Sequence, residues 1–458
     1  MSDLRQKALE YAHLNRDAYL TSLKSLVEIP SISTSIDHKK AITETAEWLA
    51  NRLRMMGFSN VALYPTNGHP VVFGEFLVGK PGLKTVLIYG HYDVQPVEPL
   101  DLWETPPFEP TIRGDNLFAR GASDMKGQIM SSLSAVDALL SAGELPVNIK
   151  YIIEGEEEIG SPNLAPFLKN NAKLLTADIV LNPDSGILAE DFPTLTYALR
   201  GLAYFELRVY GPAHDLHSGL FGGIVHNPAQ ALAELIAGMH DSDGRVTLPG
   251  FYDSVRELAI DEREDIARLP LGDAFFKEQT GAKELWGESG YTSAERVGAR
   301  PTLEINGLLS GFTGHGSKTV IPAWAMAKIS MRLVPDQKPD AVYQQLLKYL
   351  EVNAPGTIRW ELIRMAGGPP SFTDRNHPAS QAMSHAIESV WGKRPVFKRE
   401  GGSIPIVAEM QETLGIESVL TGFGLLEDNI HAPNEKLHLP TWYRGIDALI
   451  HFFYNYGE

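Results

Sequence analysis

The sequence predicts an α/β fold: a mostly parallel, helix-covered sheet interrupted by a smaller α+β domain. Three observations predict it. Up to about residue 194, short β-branched runs alternate with amphipathic segments, the order that a helix-covered parallel sheet requires. Over about 195–370 the texture changes to period-two alternation, which suits an antiparallel sheet with one wet face. After Gly367-Gly-Pro-Pro370 the first texture returns. The 458-residue chain therefore divides into 1–194, an inserted domain at 195–370, and 371–458, which completes the first domain.

In chain order, 4–28 and 40–56 carry helical periodicity, with Ala46, Leu49, Leu53 and Met56 on one stripe. Residues 71–77 and 85–89 read as strands, and 101–120 is a Pro-rich loop. Residues 128–142 form a small-residue helix closed by Gly143. Two further buried strands fall at 148–154 and 177–181. In the inserted region 194–197, 203–210 and 325–333 alternate as strands, while 227–240 and 339–352 read as helices. The acidic, Gly-dotted stretch 251–300 takes no assignment. Helices follow at 377–391, 403–414 and 441–456, the last behind Pro440, with a strand at 418–421.

Composition narrows the class. Asp and Glu total 57 against 40 Lys and Arg, a net charge of −17, which argues against nucleic-acid and anionic-membrane partners. With no cysteine, disulfides, thiol nucleophiles and Cys-ligated zinc are excluded, so any transition metal must use His, Asp and Glu. The amphipathic N-terminus has no apolar signal core, and no apolar run approaches the ~18 residues of a spanning helix. A cytoplasmic location is the expectation.

The chemistry-bearing residues cluster after strands. His91 and Asp93 lie two apart beyond 85–89, so both side chains face one way, as a metal ligand and its orienting carboxylate would. Glu156-Glu-Glu158 follows 148–154, and Asp184 follows 177–181. Ligands of open parallel sheets bind beyond the carboxyl ends of the strands, so these groups can converge. Asp124 sits in a Gly-flanked turn at a helix start, where backbone N–H groups support a carboxylate. His431 offers a second imidazole on a late loop. Each residue also has a plain structural use: a solvated helix start for the Glu triplet, an N-cap for Asp124, a turn for Asp184.

Seven segments then carry a resemblance: YGHYDVQP, RGASDMKG, EGEEEIGS, HDLHSG, KTVIP, EGGSIP and IHAPNEK, in that order from about residue 89 to 436. The chain resembles the M20 family of metallopeptidases, most of all its dipeptidase branch with the carnosinase-type and cysteinylglycine-type enzymes. The resemblance implies a dinuclear metal hydrolase with two divalent ions per chain. Zinc is the expected metal; manganese and cobalt suit the same donors. His91 and Asp184 would hold one ion, Glu158 and His431 the other, with Asp124 bridging and Asp93 orienting His91. A cis peptide after Asp124 is implied too, although Met125 stands where the family often has a second acidic residue. Glu157 matches the general base, counted from Glu154-Gly155 and back from Gly160-Ser161. Two cations about 3.5–4 Å apart can share a water and polarise a scissile carbonyl, and Glu157 would take that water's proton.

In the inserted domain, the lid and dimerisation domain by resemblance, His217 matches a residue that stabilises the oxyanion from the partner subunit of a homodimer. His214, His226 and His315 keep structural readings. Arg332, with the Gly402 and Ser403 turn, matches the hold on a substrate's free carboxylate; a bidentate guanidinium and turn N–H groups suit that task. The implied activity is cleavage of dipeptides or short peptides bearing a free C-terminal carboxylate. An N-acyl-amino-acid deacylase or carbamoyl amidohydrolase of the same fold is the alternative.

Overall fold

The computed structural model describes residues 2–402 and 404–458, so Ser403 lies outside the described residues. The chain forms two compact units. The first comprises residues 1–197, 373–397 and 409–458; the second comprises 198–372 and 398–408.

The first unit is built on a mixed sheet. Its strands run in the order Ser59–Tyr64, Val71–Phe76, Asn148–Glu154, Thr85–His91, Ile179–Asn182, Glu417–Leu420 and Thr194–Leu199. The middle four are parallel, with Thr85 opposite Asn148, Val86 opposite Ile179 and Glu417 opposite Ile179. The flanking pairs are antiparallel, so the sheet is parallel at its centre rather than across its width. The central strands are buried almost throughout, as parallel strands covered on both faces must be. Their shared direction puts the residues after His91, Glu154, Asn182 and Leu420 along one edge.

Helices cover this sheet. Lys126–Ala142 is buried along most of its length because Ala, Ser and Gly let its neighbours approach closely. A Cβ on Gly127 would lie 2.0 Å from the Ala122 carbonyl oxygen, and the Gly127 carbonyl accepts the indole N–H of Trp442 at 2.8 Å. Trp442 belongs to the closing helix Leu439–Gly457. The N-terminal helical stretch is two helices, Ser2–Leu14 and Arg16–Val27, parted at Asn15, whose amide turns back to the Tyr11 carbonyl. The chain leaves the first unit after Tyr197 and re-enters at Thr373, whose N–H donates to the Tyr197 carbonyl at 2.8 Å.

The second unit holds an antiparallel sheet ordered Thr302–Ser310, Trp324–Leu333, Gly201–Tyr210 and Arg359–Gly368. Helices Pro228–Ala237 and Pro339–Asn353 cover one face, burying Leu207, Ile329, Met331, Leu232 and Leu346. The stretch 251–300 contains helices Ile260–Arg268, Asp273–Thr280 and Ser293–Ala299. Buried charge holds it: Glu288 binds Arg300 at 2.7 Å and Arg245 at 2.6 Å, and Arg300 lies 4.2 Å over the Tyr291 ring. This explains why apolar periodicity did not reveal it. Residues 398–408, placed by sequence with the C-terminal part of the first domain, group with the second unit. There Arg399 pairs with buried Glu262 at 2.5 Å, and the Gly401 carbonyl accepts from Arg200 at 3.1 Å.

Candidate metal centre

His91 ends its strand fully buried. Its Nδ1 faces the Asp93 carbonyl at 3.1 Å and the Asp93 carboxylate at 3.4 Å, which turns Nε2 outward. Nε2 lies 3.2 Å from Asp124 Oδ1 and 3.8 Å from Asp184 Oδ1. Burial alone would lower the His91 pKa, but hydrogen bonds to Asp124, Asp184 and Asp93 outweigh it and raise the value well above the usual one.

Asp124 stands at the turn before the helix Lys126–Ala142, and the Asp124–Met125 peptide is cis. Its other oxygen, Oδ2, lies 2.9 Å from His431 Nε2, which is also 3.2 Å from Glu158 Oε2. His431 rides on a loop after the strand Glu417–Leu420 and is half exposed, with φ at +59°. Hydrogen bonds to Asp124 and Glu158 push its pKa up to about 10. Burial would raise the Asp124 carboxyl, but the two imidazoles hold it well below the carboxylate range.

Two overlapping triads result, His91, Asp124, Asp184 and Asp124, Glu158, His431; within each, the ligand atoms lie within 4.8 Å of one another. Asp124 is common to both. Four carboxylates, Asp124, Glu157, Glu158 and Asp184, share the space with two imidazoles. Burial raises Glu158 and Asp184, as expected where acids crowd without enough positive charge. Mixed imidazole and carboxylate donors in such a cluster fit divalent transition metals.

The three glutamates of 156–158 separate. Glu156 is buried and turns away, accepting the His69 N–H at 3.1 Å and the Asn163 amide at 2.8 Å. Glu157 faces the cluster, with Oε2 4.0 Å from His91 Nε2. Burial pushes its pKa up to about 9; Asp184, Glu158 and Asp124 add to the rise, and His91 opposes it. Glu158 meets His431 and accepts from the Gln95 amide at 2.7 Å. Beneath them, fully buried Glu154 accepts from Tyr89 and Ser161, both at 2.8 Å, and burial, followed by Asp93, pushes its pKa up to about 8.

The other expected residues lie in the second unit. His217 is exposed and its Nδ1 accepts the Gly219 N–H at 2.9 Å, so the neutral ring carries its proton on Nε2, as a donor. Arg332 is half-buried on Trp324–Leu333 and, with Arg200 and Glu304, lines a cavity of about 450 Å³. Burial, then the neighbouring Arg332, lowers Arg200 to about 10. Gly402 is exposed in its turn. His226 is held by Thr357 at 2.8 Å. Sequence reasoning missed Gln95, Arg120 and Glu435, although each lies inside or beside a quoted motif.

The family model described as peptidase family M20/M25/M40 matches residues 87–455. The Cys-Gly metallodipeptidase DUG1 of Candida albicans is 32% identical over 464 residues, covering 96% of this chain and 95% of that protein. The human Beta-Ala-His dipeptidase is 31% identical over 468 residues, covering 98% and 92%. The crystal structure of the M20 family metallo-carboxypeptidase Sso-CP2 from Sulfolobus solfataricus superposes with a TM-score of 0.82 at 37% identity, covering 96% of this chain and 99% of that one. The protein therefore belongs to peptidase family M20/M25/M40 and is a metallopeptidase.

Proposed function

We propose that the protein is a dinuclear metallodipeptidase that cleaves dipeptides or short peptides with a free C-terminal carboxylate. The observation that carries this reading is the meeting of His91, Asp124, Asp184, Glu158 and His431 as two triads joined at Asp124, with Glu157 beside them. The dipeptidase names of the relatives support the substrate class.

His91 and Asp184 would hold one ion, Glu158 and His431 the other, and Asp124 would serve both. Zinc is the expected metal, with manganese and cobalt chemically suited. Divalent ions held there would supply Lewis acidity for the scissile carbonyl and would lower the pKa of an attacking water. Glu157 takes the proton from that water and delivers it to the departing amine. Asp93 holds the His91 ring in its ligating orientation. His217 donates from Nε2 to the developing oxyanion, and Arg332 with Gly402 and Ser403 grips the terminal carboxylate. The inserted domain forms a homodimer, so that His217 serves the partner's site.

A panel of dipeptides and N-acyl amino acids, assayed with zinc, manganese and cobalt in turn, tests the reading. Turnover of N-acyl or carbamoyl amino acids without dipeptides would reject it.

A further inference from the structure

We infer that Glu435 is a positioning residue that sets Asp124 and His431 in register with each other, and so governs affinity at the metal position they share. This rests on the metal reading above. Glu435 and Arg120 are each about 1% exposed, and neither is among the groups proposed to hold metal. Every contact of the Glu435 carboxylate goes to the turn that ends in Asp124. Oε2 accepts from Arg120 Nη1 at 2.8 Å and from the Gly121 N–H at 2.9 Å. Oε1 accepts the N–H groups of Ser123 and Asp124, both at 3.0 Å. The Glu435 carbonyl also accepts the Ala119 N–H at 3.1 Å.

The same loop is tied at its other end. Asp428 Oδ2 accepts the Ser123 hydroxyl at 2.8 Å, and the Asp428 carbonyl accepts the Lys436 N–H at 3.0 Å. His431 lies between the two ties. Three non-glycine residues of this short loop have φ in the left-handed region, Asn429 at +54°, His431 at +59° and Asn434 at +60°. The left-handed region disfavours side chains, Asn least and His more, so the loop's conformation at His431 depends on outside anchors. Glu435 is the anchor with most bonds, and its far ends are the backbone of the bridging aspartate itself.

A buried ion pair serving stability alone is often replaceable by apolar groups. Here the carboxylate accepts three backbone N–H groups that no apolar side chain can satisfy. Glu435→Gln puts an NH₂ against those donors and disturbs the turn and the loop together. The position held by Asp124, Glu158 and His431 then loses the placement of two ligands, whereas the one held by His91, Asp124 and Asp184 loses that of one. Partners behind metal ligands are worth about 10–100-fold in affinity.

Metal-free protein is titrated with cobalt(II), reading visible absorption and bound cobalt per chain, with His431→Ala marking the signal of the His431 position. Glu435→Gln should weaken that position about 10–100-fold, resembling His431→Ala, and the other position less. Arg120→Met, which leaves the backbone bonds to Glu435, should change both less. Wild-type affinity at both positions in Glu435→Gln, or an equal loss at both, overturns the inference. If Glu435→Gln does not melt cooperatively, Glu435→Asp, which keeps the charge but shortens its reach, is read by the same outcomes. A wild-type chain that takes up no cobalt rejects the metal reading and this inference with it; normal wild-type uptake beside an unchanged variant overturns this inference alone.

Discussion

Asp93 and Glu157 are joined through the backbone. Asp93 Oδ1 accepts the Glu157 N–H at 3.2 Å while Oδ2 accepts the Glu158 N–H at 3.1 Å. One carboxylate thus orients an imidazole and also fixes the turn that presents the proposed base and its neighbouring ligand. Asp93→Asn keeps the shape but exchanges one acceptor for a donor. Metal affinity and kcat should both fall, each by about 10–100-fold. A loss confined to one of them would separate the two tasks.

The divergent directions of the three glutamates give a graded test. Glu157→Gln should keep its metal and lose roughly 10²–10⁴-fold in kcat, the usual worth of a general base. Glu158→Gln should lose metal, read by elemental analysis after dialysis. Glu156→Gln should leave kcat within a few-fold, because its carboxylate serves the His69 and Asn163 side of the turn. A large kcat loss in Glu156→Gln with metal retained would move the base to that residue.

Metal-free protein should lose thermal stability as pH rises from about 6 to about 10. Hydrogen bonds to Asp124 and Glu158 raise His431 from 6.5 to about 10, so its contribution is full below 6.5 and gone above 10. Burial raises Glu157 from 4.5 to about 9, so its ionisation costs stability increasingly above 4.5 and fully by 9. Both act in the same direction. The lowered Asp124 acts in the opposite sense, only at pH below the ordinary carboxylate range. Bound metal replaces these protons and should flatten the Tm profile, and its uptake near neutrality should release protons. A metal-free Tm that stays flat or rises over this range would contradict the cluster's electrostatics.

Amidation of the substrate's C-terminus should reduce kcat/KM by roughly 10–100-fold, since a hydrogen bond to a charged group is worth about 1.5–3 kcal/mol. Arg332→Met should erase that preference. Equal rates for acid and amide in the wild type would remove the proposed grip.

Mixing tests the proposed trans arrangement. His217→Ala and Glu157→Gln chains, each inactive alone, should regain activity as a mixed dimer, because one site then combines an intact Glu157 with an intact His217. Demonstrated subunit exchange without recovered activity would reject it.

Where burial and hydrogen-bonding chemistry agreed, the sequence was legible. Asn148–Glu154 and Ile179–Asn182 are buried nearly throughout and read as strands from their apolar runs. Thr302–Ser310 and Arg359–Gly368 did not, because each lies at a sheet edge with most side chains outside the core, so the alternation is short, confined to Leu303 and Ile305 on one strand and Trp360 and Leu362 on the other. Glu288 and its arginines hold 251–300 by charge, which apolar periodicity cannot register. The convergence of His91, the glutamates and Asp184 could be anticipated from strand ends, whereas that of Asp124 and His431 was implied only by the family resemblance. The four donors on Glu435 could not, since they depend on which way one buried carboxylate turns.

The hydrogen bond from Thr373 to Tyr197 makes the longer of the chain's two excursions into the second unit, from Ala198 to Phe372, a closed detour. Its exit and return are adjacent residues of one ladder, so the strands on either side already stand where a tight connection would put them. Exchanging such a cassette for another, or for a short turn, leaves the pairing of the parent sheet undisturbed, and loop-closure cost grows only with the logarithm of length. The geometry that carries the metal ligands can thus stay constant while the material inserted between them diversifies, so that the two parts of one active site can change at different rates.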